Sequence, residues 1–287
     1  MPDFVEIVEM GPRDGLQNER RLIPAARKVA LIDCLSRAGF RRIEAASFVS
    51  PKWVPQMADA AEVMAGIARA PGVAYMALTP NLRGYQAARA AGADWVAVFA
   101  SATEGFSQAN LNCSISESIE RFMPVISAAK ADKVNVRGYV SVVTDCPYEG
   151  RVAPAAVARV AATLRGIGCD EISLGDTIGR GVPETVDAML AAVLDELPPG
   201  HLAGHFHDTG GRALDNIGVS LARGLRVFDA SVGGLGGCPY APGAKGNVAT
   251  EAVDARLKAL GYDTGLDAAV LAEAGAMARA MRAGEGS

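Results

Sequence analysis

The sequence predicts an α/β fold, a single (β/α)8 TIM barrel with extra helices at its C-terminal end. Short segments rich in β-branched and apolar residues alternate with longer, alanine-rich amphipathic segments along the 287 residues. Eight such strand-like segments, alternating with helices, favour a closed parallel barrel over a doubly wound sheet. The length agrees with one barrel domain, which typically takes about 250 residues. Hydrophobic residues make up 50% of the chain, which is enough for a large core.

Each predicted element rests on its residue pattern and on the signals at its ends. Four helical segments stop at Gly39, Gly92, Gly168 and Gly224, just before a strand, and glycine there is a common helix-terminating residue. The predicted strands are residues 5–10, 42–46, 74–78, 95–100, 134–140, 171–174, 202–207 and 227–232. The clearest predicted helices are residues 25–38, 155–167, 183–197 and 248–260, and a C-terminal helical extension is expected over about 262–287 of a single catalytic domain, 1–287.

Composition and charge argue against several classes of protein. The formal net charge is −4 and no extended basic cluster is present, so we expect no nucleic-acid partner. No apolar run approaches the roughly 18 residues that cross a bilayer, and no targeting segment precedes the first strand. Five scattered cysteines without a CxxC pair are untypical of a disulfide framework. We therefore expect a reducing, cytoplasmic location without membrane attachment.

Polar residues follow the first predicted strand, in the segment GPRDGLQNE from Gly11 to Glu19. Active residues of a barrel enzyme lie at the C-terminal ends of its strands, so Arg13, Asp14 and Gln17 are candidates for the barrel mouth. The same segment is also good turn chemistry, since Pro, Asp and Gly favour tight turns. A functional site and a simple turn are both compatible with this pattern.

One carboxylate, Glu44, interrupts the otherwise apolar second strand. A buried carboxylate needs a partner, and Arg13 at the end of the neighbouring strand is the obvious candidate. The pair predicts either a structural ion pair or a direct catalytic role for Glu44.

The seventh strand carries two of the three histidines of the chain, in the segment HFHD. Side chains at positions i and i+2 of a strand share one face, so His205 and His207 should point the same way at the strand end. This arrangement favours metal binding over isolated core histidines. The adjacent Asp208 is expected to support the site or the local fold.

A glycine-rich segment, residues 233–247, contains Cys238 and ends at Asn247. Ordinary connections have about 4–6 residues, and longer ones are usually functional or disordered. The pattern is typical of a lid that closes over an active site and brings a thiol with it. Asn247 precedes an alanine-rich helix, so it is either the helix N-cap or an amide-oxygen ligand. Imidazole, carboxylate and amide ligands together suit Mg²⁺ or Mn²⁺ better than a structural zinc site.

Two further groups of residues have less specific patterns. Ser173, Asp176 and Thr177 follow the sixth strand, where they can bind a substrate or cap the next helix. Cys146 lies in a Cys-Pro-Tyr segment like that of Cys238, and we expect it to be structural.

Taken together, these segments resemble the 3-hydroxy-3-methylglutaryl-CoA lyase family, metal-dependent TIM-barrel lyases. The similarity extends in order over most of the chain, so it does not rest on one short motif. The matching stretches are residues 8–19, 43–57, 78–82, 137–141, 146–150, 171–179, 205–209 and 234–240.

The resemblance implies cleavage of 3-hydroxy-3-methylglutaryl-CoA to acetyl-CoA and acetoacetate, a reaction of leucine degradation and ketone-body formation, in a homodimer that binds an acyl-CoA substrate. It implies a Mg²⁺ or Mn²⁺ cofactor. The implied metal ligands are Asp14, His205, His207 and Asn247. The implied catalytic residues are Arg13 at the enolate, Glu44 beside it, the lid thiol of Cys238, and Asp14 or His205 in the proton relay. The implied substrate contacts are Arg13, Gln17, Ser47, Ser173 and Asp176.

Two positions depart from the family pattern. Lys245 replaces a small residue of the lid, and Gly211 replaces a larger residue, often tyrosine, after the histidine motif. They keep open a related lyase for another 3-hydroxy-acyl-CoA. A Claisen-type synthase using acetyl-CoA and a 2-oxo acid is disfavoured by Cys238 and by the lack of a long regulatory domain. A non-catalytic, metal-dependent CoA-binding protein is the third alternative.

Overall fold

Eight parallel strands form a closed barrel in the computed structural model. The structure describes residues 2–19, 21–238 and 241–283, without the side chains of residues 238 and 241–245. Around the barrel the order is β1-β8-β7-β6-β5-β4-β3-β2, and the pairs that hold it together are parallel. The strands are β1 Glu6–Glu9, β2 Arg42–Ser47, β3 Ala74–Leu78, β4 Trp95–Ser101, β5 Asn135–Ser141, β6 Glu171–Asp176, β7 Leu202–Phe206 and β8 Val227–Ala230. The predicted TIM barrel is therefore confirmed.

Helices surround the barrel and pack on its outer surface. They are α1 Ala25–Ser36, α2 Ala60–Gly66, α3 Leu82–Ala90, α4 Glu104–Leu111, α5 Ile115–Ala131, α6 Pro154–Ile167, α7 Pro183–Leu194, α8 Ala213–Ala222, α9 Thr250–Ala259 and α10 Ala268–Ala283. The predicted helices correspond to α1, α6, α7 and α9, with ends that differ by up to three residues. The C-terminal extension contains one helix, α10, within the part of the chain that the structure describes. None of the described helices is long and apolar enough to cross a membrane.

All eight predicted strands are present, and the four glycine stops are confirmed. Gly39, Gly92, Gly168 and Gly224 all have positive φ. Gly168 directly follows α6 with φ 119°, where a side chain would also meet Lys130. The main difference lies at the strand ends, since β7 stops at Phe206 and His207 forms only an isolated bridge to Asn247.

The apolar core has two parts, which reflects the alternation of side chains along each strand. Most buried apolar residues lie between the barrel and the helices. A smaller cluster fills part of the barrel interior, and it consists of Val8, Met10, Met76, Leu78, Ala97 and Tyr139. The interior also contains charged side chains.

Buried ion pairs connect strands across the inside of the barrel. Arg42 binds Glu6 and Glu171, with nitrogen–oxygen distances of 2.8 Å to each. Arg137 is fully buried and lies 2.7 Å from both Glu171 and Asp229. A guanidinium in this position is stable only because carboxylates flank it on both sides.

Replacing Arg137 tests this arrangement. We expect Arg137→Met to lower the free energy of unfolding by about 3–5 kcal/mol, because it leaves the buried Asp229 without its guanidinium and Glu171 with Arg42 alone. Arg223→Met is the matched control, since the Arg223–Asp187 pair is exposed to solvent and exposed pairs add little to stability. Urea denaturation of both variants gives the comparison. Equal midpoints for the two variants would contradict a structural role for Arg137.

Candidate active site

A five-residue π-helical turn, Gly11–Gly15, follows β1 and presents Arg13 and Asp14 at the barrel mouth. Glycine is required at both ends of the turn because of close approach. A Cβ at Gly11 would lie 2.6 Å from Glu9 Oε1, and a Cβ at Gly15 would lie 2.6 Å from Ser231 Oγ. The turn is thus packed tightly against its neighbours and holds the two charged side chains in place.

Arg13 forms the ion pair with Glu44 that the sequence predicts. Its Nε donates to Glu44 Oε2 at 2.5 Å, and its Nη1 donates to Asp14 Oδ1 at 2.7 Å. Burial alone would lower the pKa of Arg13, but the charges of Glu44 and Asp14 raise it. Arg13 therefore remains a fixed positive charge in a largely water-excluded position. The second carboxylate oxygen of Glu44, Oε1, is buried without a partner among the described residues.

A β-bulge in β2 brings Ser47 to the same side of the sheet as Glu44. The pairing with β3 shifts between Glu44 and Ala46, so that Glu44 aligns with Met76 and Ser47 with Leu78. Met76 and Leu78 both belong to the apolar cluster inside the barrel. Ser47 is fully buried, and its Oγ has no hydrogen-bond partner in the described parts of the chain. Its hydroxyl is available to a bound molecule.

Asp14, His205 and His207 form a cluster whose potential ligand atoms all lie within 4.8 Å of one another. The Nε2 atoms of His205 and His207 are each 3.9 Å from Asp14 Oδ2. The two imidazoles point the same way, as expected for positions i and i+2, with ring centroids 5.3 Å apart. One carboxylate and two imidazoles around one point fit a divalent cation.

The electrostatics of the cluster also suit a cation. Burial and the neighbouring His205 lower the pKa of His207 to about 4, so this ring is neutral at physiological pH. Burial would raise the pKa of Asp14, but Arg13 and both histidines lower it well below its ordinary value. Asp14 is therefore an ionised ligand and His207 an unprotonated one.

The charged side chains inside the described barrel are unequal in number. When both imidazoles of the cluster are unprotonated, five carboxylates and three guanidiniums leave an excess of two negative charges, which a divalent cation would neutralise. The carboxylates belong to Glu6, Asp14, Glu44, Glu171 and Asp229, and the guanidiniums to Arg13, Arg42 and Arg137.

Asn247 is not a helix N-cap, so that alternative is wrong. Helix α9 starts at Thr250, and Ala249 occupies the cap position. Asn247 is buried, and its Nδ2 donates to Asp14 Oδ2 at 2.7 Å. The amide thus lies beside the cluster, as expected for a ligand. Its nitrogen faces Asp14, and the amide would have to turn over to offer its oxygen.

The glycine-rich segment contains more regular structure than a loop. A single turn of 3-10 helix, Val232–Gly234, precedes a short antiparallel hairpin of Gly237–Cys238 with Ala241–Lys245. Arg282 of α10 donates to the carbonyls of Gly234 and Gly236 at 2.8 and 3.1 Å. The side chains of Cys238 and Lys245, on which two sequence-based expectations depend, lie outside the described part of the structure.

The remaining predicted residues occupy different environments. Ser173 donates to Asp229 at 2.9 Å, and the same Asp229 oxygen lies 3.0 Å from His205 Nδ1, so Ser173 is linked to the Asp14 cluster through Asp229. Asp176 accepts from Thr144 Oγ1 and from the backbone N–H of Gly181, and so holds the loop after β6. Gln17 is partly exposed beyond the Gly11–Gly15 turn.

Three further residues named in the sequence analysis have local roles. Asp208 Oδ1 accepts from the backbone of Ala213 at the start of α8. Cys146 is buried, and its sulfur accepts from Thr103 Oγ1 at 3.2 Å, which fits the expected structural role. Thr177 accepts from the backbone of Val142.

Sequence interpretation missed Asp229, which lies 3.0 Å from His205 Nδ1 and also binds Arg137. Tyr139 was missed as well, although its ring lies 5.6 Å from the Arg13 guanidinium. The signal was available, since a charged residue inside an apolar strand singled out Glu44. Arg137 and Asp229 show the same pattern in β5 and β8.

Glu9 is a further buried carboxylate, on the outer face of β1. It accepts from the backbone N–H of Gly11 at 2.7 Å and Val232 at 2.9 Å, and from Thr250 Oγ1 at 2.7 Å. Burial raises its pKa to about 7. Glu9 thus connects the Gly11–Gly15 turn to the residues on both sides of the glycine-rich segment.

A barrel with a carboxylate, two imidazoles and a buried arginine at its mouth defines a TIM-barrel protein with a candidate metal centre. A family model described as HMGL-like matches residues 4–277. The chain belongs to the HMGL-like family, as the sequence resemblance predicted.

Named relatives are similar over nearly their whole length. The chain is 57% identical to "Hydroxymethylglutaryl-CoA lyase, mitochondrial" of Gallus gallus, over 96% of this chain and 92% of that protein. Identity to the "3-hydroxy-3-isohexenylglutaryl-CoA/hydroxy-methylglutaryl-CoA lyase" of Pseudomonas aeruginosa is also 57%, over 96% and 92%. The crystal structure of the HMG-CoA lyase from Brucella melitensis matches with a TM-score of 0.97 at 64% identity, over 98% of this chain and 99% of that one.

The raised pKa of Glu9 predicts a pH dependence of stability. Folded Glu9 keeps its proton between pH 4.5 and about 7, whereas the unfolded chain loses it above 4.5. The folded state binds more protons than the unfolded chain in this window. The contribution of Glu9 to the free energy of unfolding therefore falls as the pH rises. We expect Glu9→Gln to remove this decrease and to stabilise the protein above pH 7, by up to ~3 kcal/mol.

Urea denaturation of the parent chain and of Glu9→Gln at pH 5 and pH 8 measures the difference. If the two proteins lose the same stability between these pH values, Glu9 does not titrate in that window.

Proposed function

We propose that this protein is a divalent-metal-dependent lyase that cleaves 3-hydroxy-3-methylglutaryl-CoA to acetyl-CoA and acetoacetate. The observation that carries the proposal is the buried Arg13 guanidinium, which Asp14 bridges to His205 and His207. A fixed positive charge beside a metal-binding cluster suits a reaction that develops an enolate next to a chelated hydroxyl. Relatives at 57% identity named for this activity support the assignment.

The reaction breaks the bond between C2 and C3 of the substrate. A base takes the proton of the C3 hydroxyl, the hydroxyl oxygen forms a carbonyl, and the electron pair of the C2–C3 bond moves to the thioester enolate. Protonation of C2 then gives acetyl-CoA, and the carbonyl fragment is acetoacetate. A bound Mg²⁺ or Mn²⁺, with Asp14, His205, His207 and Asn247 as its proposed ligands, would lower the pKa of the C3 hydroxyl and orient the substrate.

Arg13 would stabilise the enolate oxygen. Glu44 and Asp14 hold its guanidinium in place from two sides, so no reorganisation is needed when the negative charge develops. Ser47 Oγ and Glu44 Oε1, which have no hydrogen-bond partner among the described residues, lie on the same side of β2. The Ser47 hydroxyl can donate to the substrate, and Glu44 Oε1 can accept from it. We therefore propose Arg13, Gln17 and Ser47 as substrate contacts, and Ser173 and Asp176 as residues that support the site.

Proton transfer needs a base and an acid near the reacting carbons. Asp14 or His205 would relay the hydroxyl proton, and the thiol of Cys238 would protonate C2 when the glycine-rich segment closes. Closure would also keep water away from the enolate. The homodimer and the cytoplasmic location remain predictions.

A lyase for a longer 3-hydroxy-3-alkylglutaryl-CoA is the second candidate. The Pseudomonas aeruginosa relative is named for an isohexenyl substrate as well as for the methyl one. Gly211, in the exposed loop after β7, has positive φ and no atom within 4 Å of the position of a side chain, so it lacks the bulk of the residue that is usual there. The ratio of kcat/KM for the methyl and the isohexenyl substrate separates the two candidates.

Metal removal tests the proposed activity directly. Dialysis against EDTA should abolish acetoacetate formation from 3-hydroxy-3-methylglutaryl-CoA, and Mg²⁺ or Mn²⁺ should restore it. His207→Ala should prevent the restoration, because it removes one proposed ligand. His201→Ala is the matched control, since His201 binds Asp170 and Arg165 and lies outside the cluster. Full turnover by the metal-free protein, or none with either metal, would refute the proposal.

The role of Arg13 is tested by Arg13→Met. We expect kcat to fall by ~10²–10³, as is typical for loss of a charge-stabilising donor, with a much smaller change in KM. The double variant Arg13→Met with Glu44→Gln controls for the carboxylate left without its partner. A change in KM alone, with kcat preserved in either variant, would assign Arg13 to substrate binding only.

A further inference from the structure

Asp229 is a buried carboxylate in β8, and it contacts three side chains from three other strands. Its Oδ1 lies 2.7 Å from Arg137 Nη2 on β5. Its Oδ2 accepts from Ser173 Oγ on β6 at 2.9 Å and lies 3.0 Å from His205 Nδ1 on β7. Asp229 is 2% exposed, so these contacts are the environment of both its oxygens.

We propose that Asp229 is a positioning residue that keeps the proton of His205 on Nδ1 and thereby directs the free Nε2 at the metal site. This inference rests on the metal dependence in the proposed function. An ionised carboxylate can only accept a hydrogen bond, so the nitrogen 3.0 Å away must be the donor. The opposite ring nitrogen, Nε2, is the one that faces Asp14.

The environment of Asp229 keeps it ionised. The buried guanidinium of Arg137, 2.7 Å from Oδ1, stabilises the negative charge of the carboxylate. Ser173 occupies a second position on Oδ2 and so restricts the rotation of the carboxylate. The ring of Tyr139 contacts His205 edge-on, at 6.4 Å and 78°, and limits its rotation as well.

The two histidines of the cluster differ in this respect. His207 Nδ1 is buried and has no hydrogen-bond partner among the described residues. Within the described structure, His205 is therefore the one histidine of the pair whose imidazole is oriented by a carboxylate. Loss of such an outer partner typically weakens metal binding by about 10- to 100-fold.

The variant Asp229→Asn tests the inference with nearly unchanged shape. Arg137 will attract the amide oxygen, so the amide NH₂ will face Ser173 and His205. A donor at that position forces the His205 proton onto Nε2, where it competes with the metal. We expect the dissociation constant for Mn²⁺, measured by electron paramagnetic resonance of free Mn²⁺, to rise about 10- to 100-fold.

Two further variants are controls for that result. Ser173→Ala leaves the Arg137–Asp229 and His205–Asp229 contacts in place and should raise the constant only a few-fold. Asp187→Asn, at an exposed carboxylate of α7 that binds Arg223, should leave it unchanged. A folded Asp229→Asn protein that binds Mn²⁺ as tightly as the parent chain would overturn the inference.

The tautomer itself is observable in the parent protein, so the test does not depend on how well Asp229→Asn folds. The chain has three histidines, which makes ¹⁵N-histidine spectra of the metal-free protein assignable with single His→Ala variants. At alkaline pH, where the rings are neutral, we expect His205 to carry its proton on Nδ1. A proton on Nε2 would overturn the inference.

The outcome also separates this inference from the proposed function. A parent chain that binds no Mn²⁺ would refute the metal site and the inference together. Tight Mn²⁺ binding that is insensitive to Asp229→Asn would refute only the role of Asp229. A correct tautomer and a weakened variant support the inference even if the substrate proves to be a different acyl-CoA.

Discussion

The need to pair every buried charge inside the barrel constrains the rest of this structure. A line of ion pairs runs from Arg42 through Glu171 and Arg137 to Asp229, and a hydrogen bond extends it to His205. Each charge is stable only because the next one compensates it, since an unpaired buried charge costs several kcal/mol. The same line crosses β2, β6, β5, β8 and β7, so it fixes the relative positions of most barrel strands. The fold and the site therefore share one electrostatic scaffold.

At the barrel mouth, these ion pairs support side chains that differ in charge and protonation state. Arg13 stays cationic between two carboxylates, Asp14 stays anionic, and His207 stays neutral because burial disfavours its charged form. A preorganised set of this kind needs little rearrangement to stabilise a developing charge. The glycine-rich segment adds a second element, because Asn247 at its end donates to Asp14. A conformational change in that segment would therefore move a residue that contacts the proposed metal ligand Asp14.

Much of this site could be predicted from the sequence. Two residues that were not predicted, Arg137 and Asp229, were missed for one physical reason. Arg13 and Asp14 were identified because they follow a strand end, Glu44 because it interrupts an apolar strand, and His205 and His207 because they repeat at strand spacing. Arg137 and Asp229 break the pattern too, but their partners are distant in sequence, and no local rule pairs them. The N-cap alternative for Asn247 failed because α9 begins two residues later than its helical pattern suggests.

The sequence by itself determined the number, order and approximate bounds of the strands, because alternation and helix-terminating glycines are local signals. It also determined which residue types are available for metal and enolate chemistry. Only the tertiary structure decided how they meet. The β2 bulge turns Ser47 inward beside Glu44, and barrel closure places Asp229 behind His205. Both depend on register between strands, and register follows from packing of the whole barrel rather than from any single segment.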